Sequence, residues 1–438
     1  MKKSILAGLS SVMLATMLTG CGTSGEKGNG KVAELKDGEK VEIEFWYGLG
    51  GKLGDNMKKK IDSFNKSQDK VVIKGVQQAD YDETYKKLQA AVASGKTPAL
   101  ILTTTDTGQA MAKKKILTDL QPFIDVKDDY ETKDIIETFL KDGQVEEKQF
   151  TLPAYGTTQL MYYRKDALKE AGLTEDIFKD WKEFEKALPK LAKKKGGKVE
   201  RYAWDPMWGP DNLMDMAYSN GGKVIDESGK KVTINSKEWI EAWSIIDKGL
   251  NKDKLMKVNS GGQGWEYWYK TIDDVIQGKT AGYIGSSGDQ GDLDFKILAA
   301  AKQPGFDGKE GTPAASSQQL AIPAKTEDKK KAAAFEFIKY FEKAGNTADW
   351  SMNTGYIAVR TTAKDDPKFK EFAKKNPQIL KPIEQAENAV STFIDPTGGK
   401  IYDAIKKAAD KMEIEGKGAE EVLNEAQKEA QAALDNAK

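Results

Sequence analysis

Residues 41–102 read VEIEFWYGLGGKLGDNMKKKIDSFNKSQDKVVIKGVQQADYDETYKKLQAAVASGKTPALIL. Val41-Glu42-Ile43-Glu44-Phe45-Trp46 alternates apolar and polar side chains, which is the period of a strand. Gly48, Gly50, Gly51 and Gly54 break that pattern, and Met57, Ile61 and Phe64 then recur at helical spacing between Asn56 and Asn65. Val71-Val72-Ile73 is a second strand. Tyr85, Leu88 and Val92 share one face of a helix that starts at Tyr81, and Ala99-Leu100-Ile101-Leu102 after Pro98 is a short buried strand. Strand, helix, strand, helix, strand implies right-handed crossovers and an α/β sheet covered on both faces.

The rest of the chain is less regular. FTLPAYGTTQLMYY, residues 150–163, is extended and rich in strand formers, and helices are predicted at 165–171 and 181–191. Residues 204–225 hold Trp204, Trp208 and a Gly221-Gly222 break, after which Trp239, Trp243 and Ile246 return to helical spacing. Trp239 and Trp243, four residues apart, are expected in the core. Short strands are predicted at 281–284 and 320–323, and helices at 329–341 and 419–433. No internal repeat is visible.

At 438 residues the chain has room for two or three domains at roughly 150 residues each. Lys+Arg and Asp+Glu both number 68, so no overall field draws the protein to nucleic acid. The runs Lys113–Lys115, Lys193–Lys195 and Lys329–Lys331 lack interleaved aromatics and are read as solvated helix faces. There is no histidine, which excludes imidazole-ligated zinc sites and Ser-His-Asp or Cys-His catalysis. With one cysteine there is no intrachain disulfide and no Cys-rich metal cluster. No GxxxxGK[ST] phosphate loop is present, and neither metal nor cofactor is expected. A carboxylate-pair glycosidase stays open on composition alone.

The single cysteine falls at the end of MKKSILAGLSSVMLATMLTGC. Lys2 and Lys3 precede an uncharged, mostly apolar run, the layout of a secretory signal. Leu18-Thr19-Gly20-Cys21 resembles a lipoprotein cleavage box, which implies a signal peptide over residues 1–20 and acyl chains on Cys21. Residues 21–39 then form a lipid-anchored tether, Gly-rich at GTSGEKGNG. Two or three acyl chains hold a protein stably on a membrane, so the expected place is the outer face of a bacterial cytoplasmic membrane.

Several motifs then accumulate in order: VEIEFWYGLGG, Ser63-Phe64-Asn65, YDETYKKLQAA (81–91), GKTPA (95–99), LMYYRKDALKEAGL (160–173), IQGKTAG (276–282) and NTGYIAVR (353–360). From about residue 40 onward the chain resembles the family 1 extracellular solute-binding proteins of ABC importers, and within them the glycerol-3-phosphate-binding branch. Arg164 stands where the family usually has Asn or Asp after the second Tyr of LMYY. The resemblance implies a type II periplasmic-binding-protein-like fold, two α/β lobes joined by crossover strands near 152–163 and 312–323 with the ligand between them. The lobes would be 40–155 plus 316–362 and 156–315 plus 363–438, closing by a hinge. A monomer that hands its ligand to membrane permease subunits, with no chemistry, is implied.

Binding residues are sought among aromatics and short polar side chains at loop positions, because sugars offer hydroxyls and apolar C–H faces. Trp46, Trp204, Trp208, Trp265 and Trp268 sit beside Gly, Pro or polar residues. Trp204-Asp205-Pro206-Met207-Trp208-Gly209 resembles a ligand-packing loop of the branch, against the alternative that these rings anchor a core. Tyr81 resembles a ligand-contacting Tyr, with Asp80 as helix cap in the alternative. Asp106 follows a buried strand, where α/β sheets place ligands, and resembles the branch's Glu with a shorter arm. Tyr155 and Thr157 lie on the first crossover; Ser286 and Ser287 match an S-S-G of the branch; Tyr356 matches its T-G-Y. The branch's phosphate-binding Arg has no counterpart in STFIDPTGGKIY, where Lys400 is the lone cation. Arg binds phosphate in bidentate fashion and Lys only as a point charge. The expected ligand is therefore a neutral oligosaccharide, with glycerol 3-phosphate or a glycerophosphodiester as the alternative. A glycosidase ranks below both, because Asp106 has no evident second carboxylate in a matched loop.

Overall fold

The computed structural model describes residues 32–36, 38–126 and 130–437. The expected signal peptide, the lipidation site Cys21 and the Gly-rich part of the tether lie outside the described residues.

β1 (Val41–Tyr47) buries Val41, Ile43, Phe45 and Tyr47 on one face, as its alternation requires. α1 (Gly51–Ser67) starts earlier than expected, with Gly51 and Gly54 inside its first turns. A Cβ on Gly54 would lie 2.7 Å from the Leu49 carbonyl oxygen, so glycine lets the helix start against the strand end. β2 (Val71–Gln77) runs parallel to β1 with Val41 opposite Val71. α2 (Tyr81–Ser94) is capped by Asp80, whose carboxylate accepts from the Glu83 N–H at 2.7 Å. β3 (Leu100–Thr104) is parallel to β1, and α3 (Thr105–Lys113) follows it directly. Two short helices, α4 (Gln121–Val126) and α5 (Glu137–Asp142), and a hairpin, β4 (Gln144–Val145) with β5 (Lys148–Gln149), lead to the longest strand.

That strand, β6 (Thr151–Arg164), is shared by two neighbourhoods. After it come α6 (Lys165–Glu170), α7 (Trp181–Leu191) and the hairpin β7 (Lys193–Lys195) with β8 (Lys198–Arg201). Lys193–Lys195, read as a helix face, is thus an exposed strand. Then follow α8 (Pro210–Ser219), α9 (Lys237–Asp247), α10 (Glu266–Ile276), β9 (Gly282–Ser286), β10 (Leu298–Ala301) and β11 (Ala314–Ala321). The chain finishes with α11 (Asp328–Glu342), α12 (Ala344–Thr354), α13 (Pro367–Lys375), α14 (Lys381–Ala386), β12 (Val390–Ser391), α15 (Lys400–Glu413) and α16 (Ala419–Asp435).

The main sheet has the order β10-β6-β11-β3-β1-β2, with β12 on β11 and β9 on β6. Residues 151–158 of β6 pair antiparallel with β11, and residues 159–163 pair antiparallel with β9. β6 therefore leaves one sheet region and enters the other, which makes the sheet curl into two lobes. Two main cores match this division. One gathers Phe45, Leu100, Leu152, Phe335, Phe337 and Trp350. The other gathers Trp181, Phe184, Trp204, Trp243, Ile401 and Val422. Each fully buried large apolar side chain adds about 1.5–3 kcal/mol to stability. Trp239 and Trp243 are fully buried on α9, as their spacing required. Among the described residues no helix is long and apolar enough to cross a membrane.

Candidate functional site

Where β6 passes from the first core toward the second, three phenols gather around its midpoint, and we assign them to the floor of the interlobe site. Tyr155, midway along β6, is fully buried, stacked on Trp350 at 5.1 Å and tilted against Tyr356 at 4.4 Å. Its Oη shares a hydrogen bond with the Oη of Tyr81 at 3.0 Å. Burial pushes all three phenols well above their ordinary range, so they stay neutral and can donate or accept. Two residues along β6, and so on the same face, Thr157 sets its Oγ1 3.3 Å from the Oγ of Ser286. Ser286 ends β9, and its Oγ accepts from the Gly288 N–H at 3.1 Å. The buried Ser287 hydroxyl makes no hydrogen bond. A Cβ on Gly288 would run into the Tyr356 ring, so this turn meets the floor closely.

The facing wall is built differently. The segment before α8 turns through Met207 at φ 63° and Gly209 at φ 112°, a shape that needs holding. Asp205 accepts from the Met207 N–H at 3.0 Å, Glu413 accepts from the Gly209 N–H at 3.0 Å, and Asn212 donates to the Pro206 carbonyl at 2.8 Å. The turn presents Trp208, whose Nε1 donates to Asp410 at 2.7 Å and whose ring stands edge-on to Tyr267 at 5.0 Å. Asp211, in the first turn of α8, accepts from the Tyr402 hydroxyl at 2.8 Å. Asp211 keeps accessible surface at the start of α8, beside Tyr402. Burial pushes its carboxyl up; Tyr402 opposes this and the charge of Asp106 across the cleft adds to it. Glu413 is also pushed well up by burial.

The mouth is formed by α10 and the residue before it. Trp265 meets Tyr81 edge-on at 6.1 Å, and Trp268 lies edge-on to Trp265 at 6.0 Å. Trp268 is fixed by Asp289, which accepts from its Nε1 at 2.8 Å and from the Tyr283 hydroxyl at 3.0 Å. Burial pushes Asp289 up to about 8. Tyr269 lies against Gly50 and Gly51, where any Cβ would press on its ring or hydroxyl, and Gly51 has φ 48°. Lys52 closes the rim, donating to the Gly291 carbonyl at 3.0 Å and pairing with Asp292 at 3.2 Å.

Of the sequence-derived candidates, the structure gathers Tyr81, Thr157, Ser286 and Tyr356 around Tyr155 and Ser287, which are themselves fully buried and support the floor from beneath. Asp106 sits in the first turn of α3, with its charge felt at Asp211 and Tyr402 beside Trp208, and Trp265 and Trp268 pack next to Tyr81. Two stand elsewhere. Trp46 lies on the other face of β1, against Leu88 and Ile101, with its Nε1 donating to Glu44 at 3.0 Å. Strand alternation puts it under α2, and the neighbouring glycines do not turn it round. Trp204 is fully buried between Phe178 at 5.7 Å and Phe184 at 4.9 Å, so it anchors the core and leaves no face for a ligand. Sequence reading missed Asp211, Tyr267, Tyr269, Tyr402, Asp410 and Glu413. The run Trp265-Glu266-Tyr267-Trp268-Tyr269 carried a signal for the two α10 tyrosines; nothing local marked the α15 residues. The structure also corrects the statement that Asp106 lacks a second carboxylate, because Asp211 is near enough for its pKa to feel it.

The family profile described as bacterial extracellular solute-binding protein matches residues 59–380. This chain belongs to that family. It is 24% identical over 350 residues to the sn-glycerol-3-phosphate-binding periplasmic protein UgpB of Yersinia pseudotuberculosis, covering 77% of this chain and 78% of that protein. The UgpB of Salmonella typhimurium is 22% identical over 346 residues, covering 76% of this chain and 78% of that protein. Among solved structures, UgpB from Mycobacterium tuberculosis in complex with glycerophosphocholine superposes with a TM-score of 0.79 at 23% identity, covering 91% of this chain and 99% of that one. Maltose-bound MalE3 of T. maritima gives 0.77 at 20% identity, covering 90% and 99%. The shared fold is the two-lobe architecture of solute-binding proteins.

Proposed function

We propose that this protein captures a neutral oligosaccharide in the cleft between its lobes and delivers it to the permease of an ABC importer, held at the membrane by lipid on Cys21. The proposed lobes follow the division expected from the sequence, 40–155 plus 316–362 and 156–315 plus 363–438, with β6 and β11 as the crossovers, except that Phe369 and Ile379 pack with Ala348, and Ile383 with Ile357, which draws residues 363–386 toward the first lobe. The observation that carries the ligand class is the balance of charge along the wall. Asp211 and Asp410 set carboxylates beside Tyr402, Trp208 and Tyr267, while Lys52 at the rim is engaged by Asp292. A cleft with that balance disfavours an anion, while its rings and neutral hydroxyls suit sugar faces and sugar hydroxyls.

A second reading is a glycerophosphodiester with a quaternary ammonium head. Acidic groups beside Trp208, Tyr267 and Trp265 attract ammonium through charge and ring faces, and this favours such a diester over glycerol 3-phosphate itself. A third, glycosidase action, takes support from the facing Asp106 and Asp211, one of them raised by burial; the relatives, named as binding proteins, weigh against it.

A thermal-shift panel of maltotriose, longer maltodextrins, glycerophosphocholine and glycerol 3-phosphate tests these readings, followed by chromatography of each incubated sugar. A rise in melting temperature with a maltodextrin and no product supports capture. Response to glycerophosphocholine alone selects the diester, and product formation establishes an enzyme.

A further inference from the structure

The hydrogen bonds that shape the cleft wall come from a helix far away in sequence. α15 lies beyond residue 380, where the family match ends. Its apolar side, with Ile401, Ile405, Ala408 and Met412, packs into the second core beside Val422, Leu423 and Ala426 of α16. Tyr402, Lys406, Asp410 and Glu413 follow one another at helical spacing along a different stripe. Each member of that stripe reaches the wall. Tyr402 bonds Asp211 at 2.8 Å, Lys406 acts on Asp211 through its charge, Asp410 bonds Trp208 at 2.7 Å, and Glu413 bonds the Gly209 N–H at 3.0 Å. The start of the helix is fixed in turn, because Asp395 accepts from the Tyr402 N–H at 2.9 Å and from the Thr397 hydroxyl at 2.6 Å.

We infer that α15 is the positioning element of the binding site: Asp410 sets the plane of the Trp208 ring, and Tyr402 sets the Asp211 carboxyl. Neither need touch ligand to decide what the cleft accepts. An indole ring on a short turn has two free torsions, and without a partner on Nε1 it samples several rotamers. Asp410 selects one and stands the ring edge-on to Tyr267. Tyr402 orients Asp211 in the same way, so that one carboxylate oxygen is engaged and the other is left for the cleft. This deepens the proposed function and rests on it for the statement that Trp208 and Asp211 face ligand.

The test uses the full chain labelled with 5-fluorotryptophan and read by fluorine NMR, where the nine tryptophans give separate resonances. Trp208 is assigned by the loss of its signal in Trp208→Phe. In Asp410→Ala the Trp208 resonance should move and broaden while the remaining resonances hold their places. Asp410→Asn, which keeps an acceptor oxygen, should restore it. For whichever of maltotriose and glycerophosphocholine binds the wild type, Kd should rise about tenfold or more in Asp410→Ala and less than about threefold in Asp410→Asn. Tyr402→Phe, which removes one oxygen, should raise Kd about three- to tenfold, and it carries the test if Asp410→Ala does not fold. An unmoved Trp208 resonance in Asp410→Ala, equal perturbation by Asn and Ala, or a joint shift of all resonances would overturn the proposal. If neither probe binds the wild type, the two leading ligand readings fail separately, and the resonances still decide whether Asp410 positions the ring.

Discussion

The two sides of the cleft are made of different materials. The floor is buried Tyr155, stacked on Trp350 at 5.1 Å and tilted against Tyr356 at 4.4 Å, with the half-buried Tyr81 joined to it by a 3.0 Å hydroxyl bond. The wall is Trp208 and Asp211 on a turn with positive φ at Met207 and Gly209, held by side chains of α15. Stacked neutral rings hold their shape by packing, so a change in the floor acts first on stability. A turn held by a few charge-assisted hydrogen bonds takes its shape from its partners, so a change in the wall acts first on affinity.

The largest expected effect separates the two tryptophans of a single motif. Trp204→Ala should destabilise the protein by about 3–5 kcal/mol in urea unfolding, because it empties a site between Phe178 and Phe184. Trp208→Ala should cost only about 1 kcal/mol of stability and weaken ligand binding about tenfold or more. Equal stability losses would erase the distinction between core and wall at this loop.

The next effect is a pH dependence. Asp289 is raised from 3.8 to about 8, and Asp205 and Asp215 to about 7, in each case by burial. A carboxyl with a raised folded value contributes its full stability below the unfolded value, and that contribution is lost as pH rises through the folded value. The urea midpoint should therefore fall between about pH 4 and about pH 8, and Asp289→Asn should make that fall shallower. A midpoint that rises over this range, or one whose slope ignores the substitution, would contradict the burial of Asp289 beneath Trp268.

Most of the first lobe was legible in the sequence because its signals are local. The alternation of residues 41–46 gave β1, the Asp80 cap gave the start of α2, and Pro98 with its apolar run gave β3. The floor residues could be named because Tyr81, Ser286, Ser287 and Tyr356 stand in motifs that resemble the family's, and Tyr155 and Thr157 lie on the extended segment read as the first crossover. The wall could be named only in part. Trp208 stood out by its Gly and Pro neighbours, but so did Trp204, and which of two similar rings points inward depends on α7 packing against it. Asp410 and Glu413 sit in an ordinary helical run of Lys, Ala, Asp and Glu, and their meaning arises only when α15 docks some 200 residues from its target. Trp46 failed for the opposite reason: strand period, a signal already in hand, outweighed the glycines that follow it.

Smaller changes sharpen the same contrast. Tyr155→Phe keeps the stack and removes the 3.0 Å bond to Tyr81, so it should cost about 1 kcal/mol of stability. The smallest effect is expected at the rim. Lys52 is 63% exposed, and its pair with Asp292 is worth about 0–1 kcal/mol. Lys52→Ala should leave the melting temperature nearly unchanged; a drop of many degrees would move this ion pair from the rim into the framework.

The most direct measurement is calorimetry of wild type and Trp208→Ala with maltotriose, a longer maltodextrin, glycerophosphocholine and glycerol 3-phosphate at low and high salt. A neutral ligand in a cleft with this balance of charge should bind with little dependence on salt, because no ion pair forms across the lobes, and should lose about tenfold or more without Trp208. Salt-sensitive binding of glycerol 3-phosphate, unchanged in Trp208→Ala and with no response to maltodextrins, would contradict it.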